Sequence, residues 1–98
     1  MKPFTASQTV KLTSTTSSQT VTIPNGYNTL EVYNGGLYPV YIKYAATVAV
    51  PSTTWVDSVV CIQPATTQVF ANPPGGGVLA YIAETSGGSL VLSVGEGV

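Results

Sequence analysis

Short runs in which apolar and polar residues alternate recur along the whole chain, and glycine, proline or asparagine ends most of them. In residues 19–23, Val21 and Ile23 alternate with threonines, and Pro24-Asn25-Gly26 follows. A period of two places alternate side chains on one face of a β-strand, whereas no stretch keeps the period of about 3.6 residues that an amphipathic helix needs. Proline fixes φ and Asn-Gly accepts a left-handed backbone, so such triplets favour turns. The pattern predicts an all-β chain.

Two neighbouring runs are predicted to pair as an antiparallel hairpin. Residues 29–34 and 40–44 both alternate, and Gly35-Gly36 lies between them. Glycines of this kind at the end of an alternating run are typical of a turn that reverses the chain. The side chains predicted to face the core are Leu30, Val32, Val40, Ile42 and Tyr44, and those predicted to face outward are Glu31, Tyr33, Tyr41 and Lys43.

A second hairpin is predicted near the carboxyl end. Residues 78–83 are nearly all apolar, which predicts a central strand that is covered on both faces. The turn residues 86–88 then lead into residues 89–94, where every second side chain is apolar. The inward side chains of this last strand are predicted to be Leu90, Leu92 and Val94.

Together these runs predict about seven or eight strands in a single antiparallel β-sandwich with jelly-roll or Greek-key connections. A chain of 98 residues is the size of one domain, and no linker divides it. Residues 1–12 are predicted to be an N-terminal arm or edge strand, with Phe4 and Val10 as its apolar anchors, and residues 13–98 are predicted to be the sandwich domain.

Few side chains carry a charge. Three lysines and four acidic residues make up 7% of the chain, against about 25% in an average domain. Three scattered lysines cannot neutralise many phosphates, so nucleic acid is not expected as a partner. No run reaches the roughly 18 apolar residues of a membrane span, and no membrane partner is expected. A neutral, hydroxyl-rich surface has little charge repulsion between copies, which favours self-association.

The residue types needed for most catalysis are missing. Histidine is absent and Cys61 is the only cysteine, so neither a catalytic triad nor a structural zinc site can be assembled. Cys61 is predicted to be a small buried apolar residue. The one acid pair to consider is Glu31 with Glu84, on two different predicted strands. If the sheet brought them together, they would resemble the two carboxylates of a glycosidase. No cofactor or metal is expected, and the chain is predicted not to be an enzyme.

Aromatic side chains are the remaining candidates for binding. Tyr44 and Tyr81 are predicted to lie in the core. Tyr33 and Tyr41 face away from it, which suits either an interface or simple cross-strand packing. Trp55 is either a core residue or an anchor against a partner. The predicted interface residues are Phe4, Val10, Tyr33, Tyr41 and Trp55.

Several segments together resemble a group of small virion structural proteins of tailed phages, either of the capsid decoration or cement type or of the head-fibre-associated type. The resemblance covers most of the chain and uses small, common residues. The matching segments are residues 4–10 (Phe-Thr-Ala-Ser-Gln-Thr-Val), 30–36, 40–44, 69–70, 79–83 and 95–98.

The resemblance implies a protein of the virion surface, made in the host cytoplasm. It implies a capsid decoration or cement protein that bridges neighbouring coat subunits, with the major capsid protein or another virion protein as partner and a homo-oligomeric state. Two alternatives remain open from the residues: a carbohydrate-binding β-sandwich module that uses tyrosine and tryptophan platforms, and a tail- or fibre-associated adaptor.

Overall fold

The computed structural model describes residues 5–52, 58–71, 73, 75–85 and 87–96. Within these residues the chain forms eight β-strands and no helix. The strands are β1 (Thr5–Ser14), β2 (Gln19–Thr22), β3 (Thr29–Asn34), β4 (Val40–Lys43), β5 (Val60–Ile62), β6 (Thr67–Ala71), β7 (Val78–Ala83) and β8 (Gly88–Glu96).

The strands form two four-stranded antiparallel sheets. Sheet 1 has the order β1-β8-β3-β6, and sheet 2 has the order β2-β7-β4-β5. The pairs β1–β8, β2–β7, β3–β6 and β4–β5 are nested, as they are when one long antiparallel ribbon is rolled up. This nesting is the jelly-roll arrangement. The predicted antiparallel β-sandwich is therefore confirmed, and of the two predicted connection types the strand order is that of the jelly roll.

Apolar side chains on the inner faces of both sheets form one core. Every second residue of β8 contributes to it, as predicted: Leu90, Leu92 and Val94 are all less than 5% exposed. Complete burial of a side chain of this size stabilises the fold by about 1.5–3 kcal/mol. The buried members of the core are Ile23, Leu30, Val32, Val40, Ile42, Ile62, Leu79, Tyr81, Ala83, Leu90, Leu92 and Val94.

Neither predicted hairpin forms. β3 lies in sheet 1 and β4 in sheet 2, and β7 and β8 are divided between the sheets in the same way. Both connections therefore cross from one sheet to the other. The inward positions of Leu30, Val32, Val40 and Ile42 are nevertheless correct. Strands that face each other across a sandwich and strands that pair in a hairpin both turn their apolar side chains toward the same core, so alternation specifies the face of a strand and not its partner.

Asn34, the last residue of β3, holds the crossing from sheet 1 to sheet 2. Its side chain is completely buried. Its Nδ2 donates to the carbonyl oxygens of Tyr38 at 2.7 Å and Ile62 at 2.9 Å. Its Oδ1 accepts a hydrogen bond from the backbone N–H of Gly36 at 3.0 Å. Because Ile62 lies on β5, this one amide links both sheets to the connection between them.

Part of the outer face of sheet 2 is covered by described residues of the connection between β4 and β5. Val48 of this connection is buried against Ala80 and Ile82 of β7. Its backbone N–H donates to Ser18 Oγ at 3.0 Å, which fastens the connection to the β1–β2 loop. β7 is therefore a central strand covered on both faces, as predicted, except at its first residue, Val78, which is 38% exposed.

β1 lies at the edge of sheet 1 and includes most of the segment predicted as an arm or edge strand. It pairs with β8 along its length, with one register shift between Ala6 and Gln8. Residues 5–14 are thus part of the sheet, and residues 1–4 lie outside the described part of the chain.

Candidate functional site

The outer face of sheet 1 carries exposed or half-buried side chains from all four of its strands, and we call it the open face. Side chains at alternate positions of its four strands point outward, and most of them are hydroxyl-bearing. Thr9 Oγ1 and Ser93 Oγ share a hydrogen bond of 3.0 Å on this face. The residues of the open face are Thr9, Lys11, Thr13, Glu31, Tyr33, Thr67, Val69, Ser89, Val91 and Ser93.

Tyr33 lies on the open face, pointing away from the core as predicted, and is 40% exposed. It pairs with Val91 of β8 on one side and with Thr67 of β6 on the other. A Cβ at Gly35 would lie 3.1 Å from Cε2 of the tyrosine ring, so the ring lies along the strand over this glycine. One side of the ring is therefore supported by backbone while the side chain remains accessible to a partner.

Val10 does not lie on the open face. It pairs with Leu92, so it shares the inner side of sheet 1, yet it is 41% exposed because β1 is an edge strand. It lines a groove of about 250 Å³ between β1 and β2, the two strands that meet at this side of the sandwich. The groove is mainly apolar, with Val21, Ile23 and Val94 among its lining residues.

Tyr41 lies on the outer face of sheet 2, on the opposite side of the molecule from Tyr33. Its hydroxyl donates to Oε1 of Glu84 at 2.9 Å. This hydrogen bond to a carboxylate, together with partial burial, raises the pKa of Tyr41 above its ordinary value. The hydroxyl is thus held protonated and already has a partner within the chain.

Cys61 pairs with Tyr41 across the β4–β5 ladder. The prediction of a buried cysteine is wrong: Cys61 is half-buried on an edge strand and points to the outer side of sheet 2. Gln63 Nε2 donates to its Sγ at 3.4 Å. Burial, with a smaller contribution from the negative charge of Glu84, raises the pKa of the thiol. The reactive thiolate is therefore disfavoured at neutral pH.

Three of the predicted interface residues lie within the described part of the chain, on three different surfaces. Val10 faces the groove, Tyr33 the open face and Tyr41 the far side of the sandwich. Phe4 and Trp55 lie outside the described residues.

Of the two tyrosines predicted to be in the core, Tyr81 is buried and Tyr44 is not. Tyr44 is 44% exposed, and its ring meets Phe70 edge-on with the ring centroids 6.3 Å apart. β4 ends at Lys43, so the alternation that places Val40 and Ile42 inside no longer applies at the next residue.

The hypothetical acid pair is separated by the sandwich. Glu31 lies on the open face, whereas Glu84 receives the Tyr41 hydrogen bond on the outer side of sheet 2. Packed sheets are about 10 Å apart, and the outward side chains add to that separation, which exceeds the roughly 5–9.5 Å between glycosidase carboxylates. In the part of the chain that the structure describes, no three His, Cys, Asp or Glu side chains group as metal ligands would. The same residues include no helix able to cross a membrane.

Sequence reasoning missed the exposed edge at β6. Val69 is 51% exposed, and Phe70 is half-buried beside Tyr44. The sequence feature that could have indicated this edge is the absence of charged residues and proline from residues 65–71. Such a segment would favour a buried strand equally well, so the sequence could not show that this strand ends a sheet.

Comparison with known proteins identifies no relative: no family model, no curated protein and no solved structure matches this chain. The phage resemblance therefore remains a prediction from the sequence.

Proposed function

We propose that this chain is a non-enzymatic structural protein of a tailed-phage virion, and that it acts as a capsid decoration or cement protein bridging neighbouring coat subunits. The observation that supports this best is the pairing state of sheet 1. Within the described residues both of its edge strands have one unpaired side, and its outer face is a largely uncharged surface of hydroxyls with Tyr33 and Val69. Unpaired strand edges and neutral faces bind other proteins, and the described residues place no group of acids and bases together for catalysis.

The proposed mechanism is cooperative, non-covalent clamping. A strand edge presents backbone donors and acceptors along its whole length, and another extended chain can pair with them. Each such contact is modest, but a particle that carries many copies sums them, so disassembly must break many contacts at once. The partner in this role is the major capsid protein or another virion protein, and the site of action is the virion surface.

The test is to purify particles from cells that carry the gene and to measure the protein by quantitative mass spectrometry. A decoration protein is expected in a fixed ratio to the major coat protein, and in the head fraction after heads and tails are separated. Recovery in the tail fraction would instead favour the adaptor role. Particles without this protein would overturn the proposal. Deleting residues 1–10 is not a suitable variant, because it removes six residues of β1.

A carbohydrate-binding module is the second candidate, supported by the Tyr33 ring over Gly35 on the open face. Aromatic rings supported in this way form platforms with an apolar body and a polar tip. A glycan array would test it, with Tyr33→Ala expected to abolish binding. Tyr38→Ala is the matched control, because Tyr38 is 39% exposed but lies outside the strands of the open face. An array without hits would exclude this candidate.

A further inference from the structure

Sheet 1 ends in two strands that each pair on one side only. β1 pairs with β8 and β6 pairs with β3, and the described residues supply no further strand beside either of them. β6 has no charge, no proline and no register shift, the devices by which proteins commonly protect an exposed edge. β1 is regular from Gln8 to Ser14. Two edges on opposite sides of one sheet are thus available, each regular over at least five residues.

We propose that copies of this chain associate head to tail, with β1 of one copy adding to β6 of the next. The occupant of each edge is a second copy of the same chain, and sheet 1 continues from copy to copy. The inference deepens the proposed function and rests on it, since it names the self-association through which a decoration protein would form a connected layer.

Strand direction permits this arrangement. Neighbouring strands of sheet 1 are antiparallel throughout, so β1 and β6 run in opposite directions within one copy. A second copy placed beside the first in the same orientation therefore presents its β1 antiparallel to β6. The new strand pair continues the existing ladder, and every copy keeps one edge free for the next.

Side-chain alternation restricts the register. A slip of one residue would turn every side chain to the wrong face, so allowed registers differ by two residues. With Lys11 opposite Val69, two half-exposed apolar residues, Val10 and Phe70, meet on the inner side. On the open face, Thr13 meets Thr67, a favourable cross-strand pair. This register covers the groove residue Val10 and the exposed edge of β6 at the same time.

Charge complementarity selects a head-to-tail contact over a symmetric one. Among the described residues, Lys11 and Glu31 are the charged side chains of the open face. Glu31 lies on β3, directly across from Val69. Lys11 of the next copy would lie in the same row, two strand spacings or about 9.6 Å from Glu31, and its apolar stem would cover Val69. Pairing β1 with β1 in the register that sets the two Lys11 residues opposite each other brings like charges together instead. Pairing β6 with β6 leaves the two Glu31 residues three strand spacings apart, roughly 14 Å, and brings no lysine near them.

The expected affinity is low. Five paired residues at about 3.4 Å each make a contact roughly 17 Å long. With the smallest dimension of the molecule, 21 Å, as its other side, the contact covers roughly 360 Å² per copy. Both copies together bury roughly 700 Å², less than the 1,200–2,000 Å² of stable interfaces. The contact is therefore weak between two free molecules and becomes effective where many copies are held side by side.

The first test is sedimentation velocity at protein concentrations from about 10 µM to about 1 mM, a range that spans weak association. The average mass is expected to rise with concentration without stopping at a dimer, or to stop at a closed ring. Val69→Lys places a charge on the edge and should weaken association by roughly tenfold or more. Val78→Lys is the matched control, because Val78 is similarly exposed but lies on sheet 2, and it should associate normally.

A charge-swap series tests the contact between copies. At low salt, Lys11→Glu and Glu31→Lys are each expected to weaken association by about two- to fivefold, the size of an exposed ion pair. The double variant, Lys11→Glu with Glu31→Lys, should restore it. Both sites are at the sheet surface, and circular dichroism would show that each variant is folded.

Cysteine crosslinking distinguishes head-to-tail from symmetric contacts. In a Cys61→Ser background, Thr13→Cys and Thr67→Cys are made as separate variants. Each alone should remain uncrosslinked on oxidation, a mixture should give dimers, and the double variant should give a ladder of multimers. Dimers from either single variant would overturn the proposal, as would a mixture that forms none.

A chain that stays monomeric across the whole concentration range would also overturn the head-to-tail contact. That result would leave the virion proposal intact, because the mass spectrometry of particles is independent of self-association. Absence from particles, together with correct crosslinking, would refute the virion role and retain the interface.

Discussion

Asn34 offers the strongest single test of how the two sheets are joined. Its buried amide makes three hydrogen bonds: to the carbonyl oxygens of Tyr38 and Ile62, and from the backbone N–H of Gly36. Each such bond contributes about 1 kcal/mol net, and a buried group left without a partner costs about 1–3 kcal/mol. We therefore expect Asn34→Ala to lower the free energy of unfolding by about 3–5 kcal/mol, a large part of the roughly 5–15 kcal/mol of a typical domain.

Asn34→Asp separates hydrogen bonding from shape. The introduced carboxyl has nearly the same size and can still accept from Gly36, but when ionised it faces two carbonyl oxygens and donates to neither. Burial and these oxygens raise its folded-state pKa above the unfolded value of about 3.9. The folded state then holds the proton more tightly, so the cost of the substitution grows as pH rises from about 4 and is constant above the folded-state pKa. Below pH 4 the cost is smallest, since the protonated group can donate one hydrogen bond.

The assay is urea denaturation at 25 °C, followed by circular dichroism at several pH values. Gln68→Ala is the control, because this amide is exposed on β6, and we expect a change within about 0.5 kcal/mol. A loss below about 1 kcal/mol for Asn34→Ala would refute the role of the amide in joining the sheets, given the three bonds it makes. A cost of Asn34→Asp that does not change between pH 3 and pH 7 would do the same.

Three further predictions concern backbone contacts and titration. Gly36→Ala should lower the free energy of unfolding in urea by about 1–3 kcal/mol, because its Cβ would lie 2.8 Å from a backbone nitrogen of β8. Gly35→Ala should cost less, because the nearest atoms to its Cβ belong to side chains, the closest being the Tyr33 ring at 3.1 Å. Ala65→Gly should change the free energy of unfolding by less than about 1 kcal/mol. Glycine relieves the strain of the left-handed backbone at this position (φ of 59°), which offsets the greater conformational entropy it gives the unfolded chain. The same change in a regular strand, where there is no strain to relieve, would destabilise the fold. Burial raises the pKa of Cys61 above 9.0, and the Glu84 contact raises the pKa of Tyr41 above 10.0. Because the folded state holds each proton more tightly than the unfolded chain, the stability that each protonated group gives the fold is complete below these values. It is lost as pH rises through the folded-state pKa. Stability should accordingly fall above pH 9, and Cys61→Ala should remove the first part of that fall; an unchanged alkaline profile would contradict it.

The fold class follows from the sequence alone, because strand alternation is a local property. A run such as residues 29–34 or 89–94 specifies which side chains are buried, and Leu30, Val32, Leu90 and Leu92 are where the pattern places them. The apolar run at residues 78–83 likewise predicts a strand covered on both faces. In the run 40–44 the exception is Tyr44, because the strand ends at Lys43, one residue too early for the pattern to hold.

Strand pairing could not be predicted, because a period of two gives a strand its inner face but carries no information about its neighbour. Tyr33 and Tyr41 are both outward, as alternation requires, yet the crossing at Asn34 puts them on opposite sides of the molecule. The edge position of Val10 matches the predicted edge strand of residues 1–12, whereas Val69 became an edge residue only when the jelly roll placed β6 at the other end of sheet 1. The sequence determined which faces are apolar, through local sterics and hydrophobicity. Only the tertiary structure showed that β6 is the other edge of sheet 1 in the described part of the chain, because an edge is defined by which strands lie beside it.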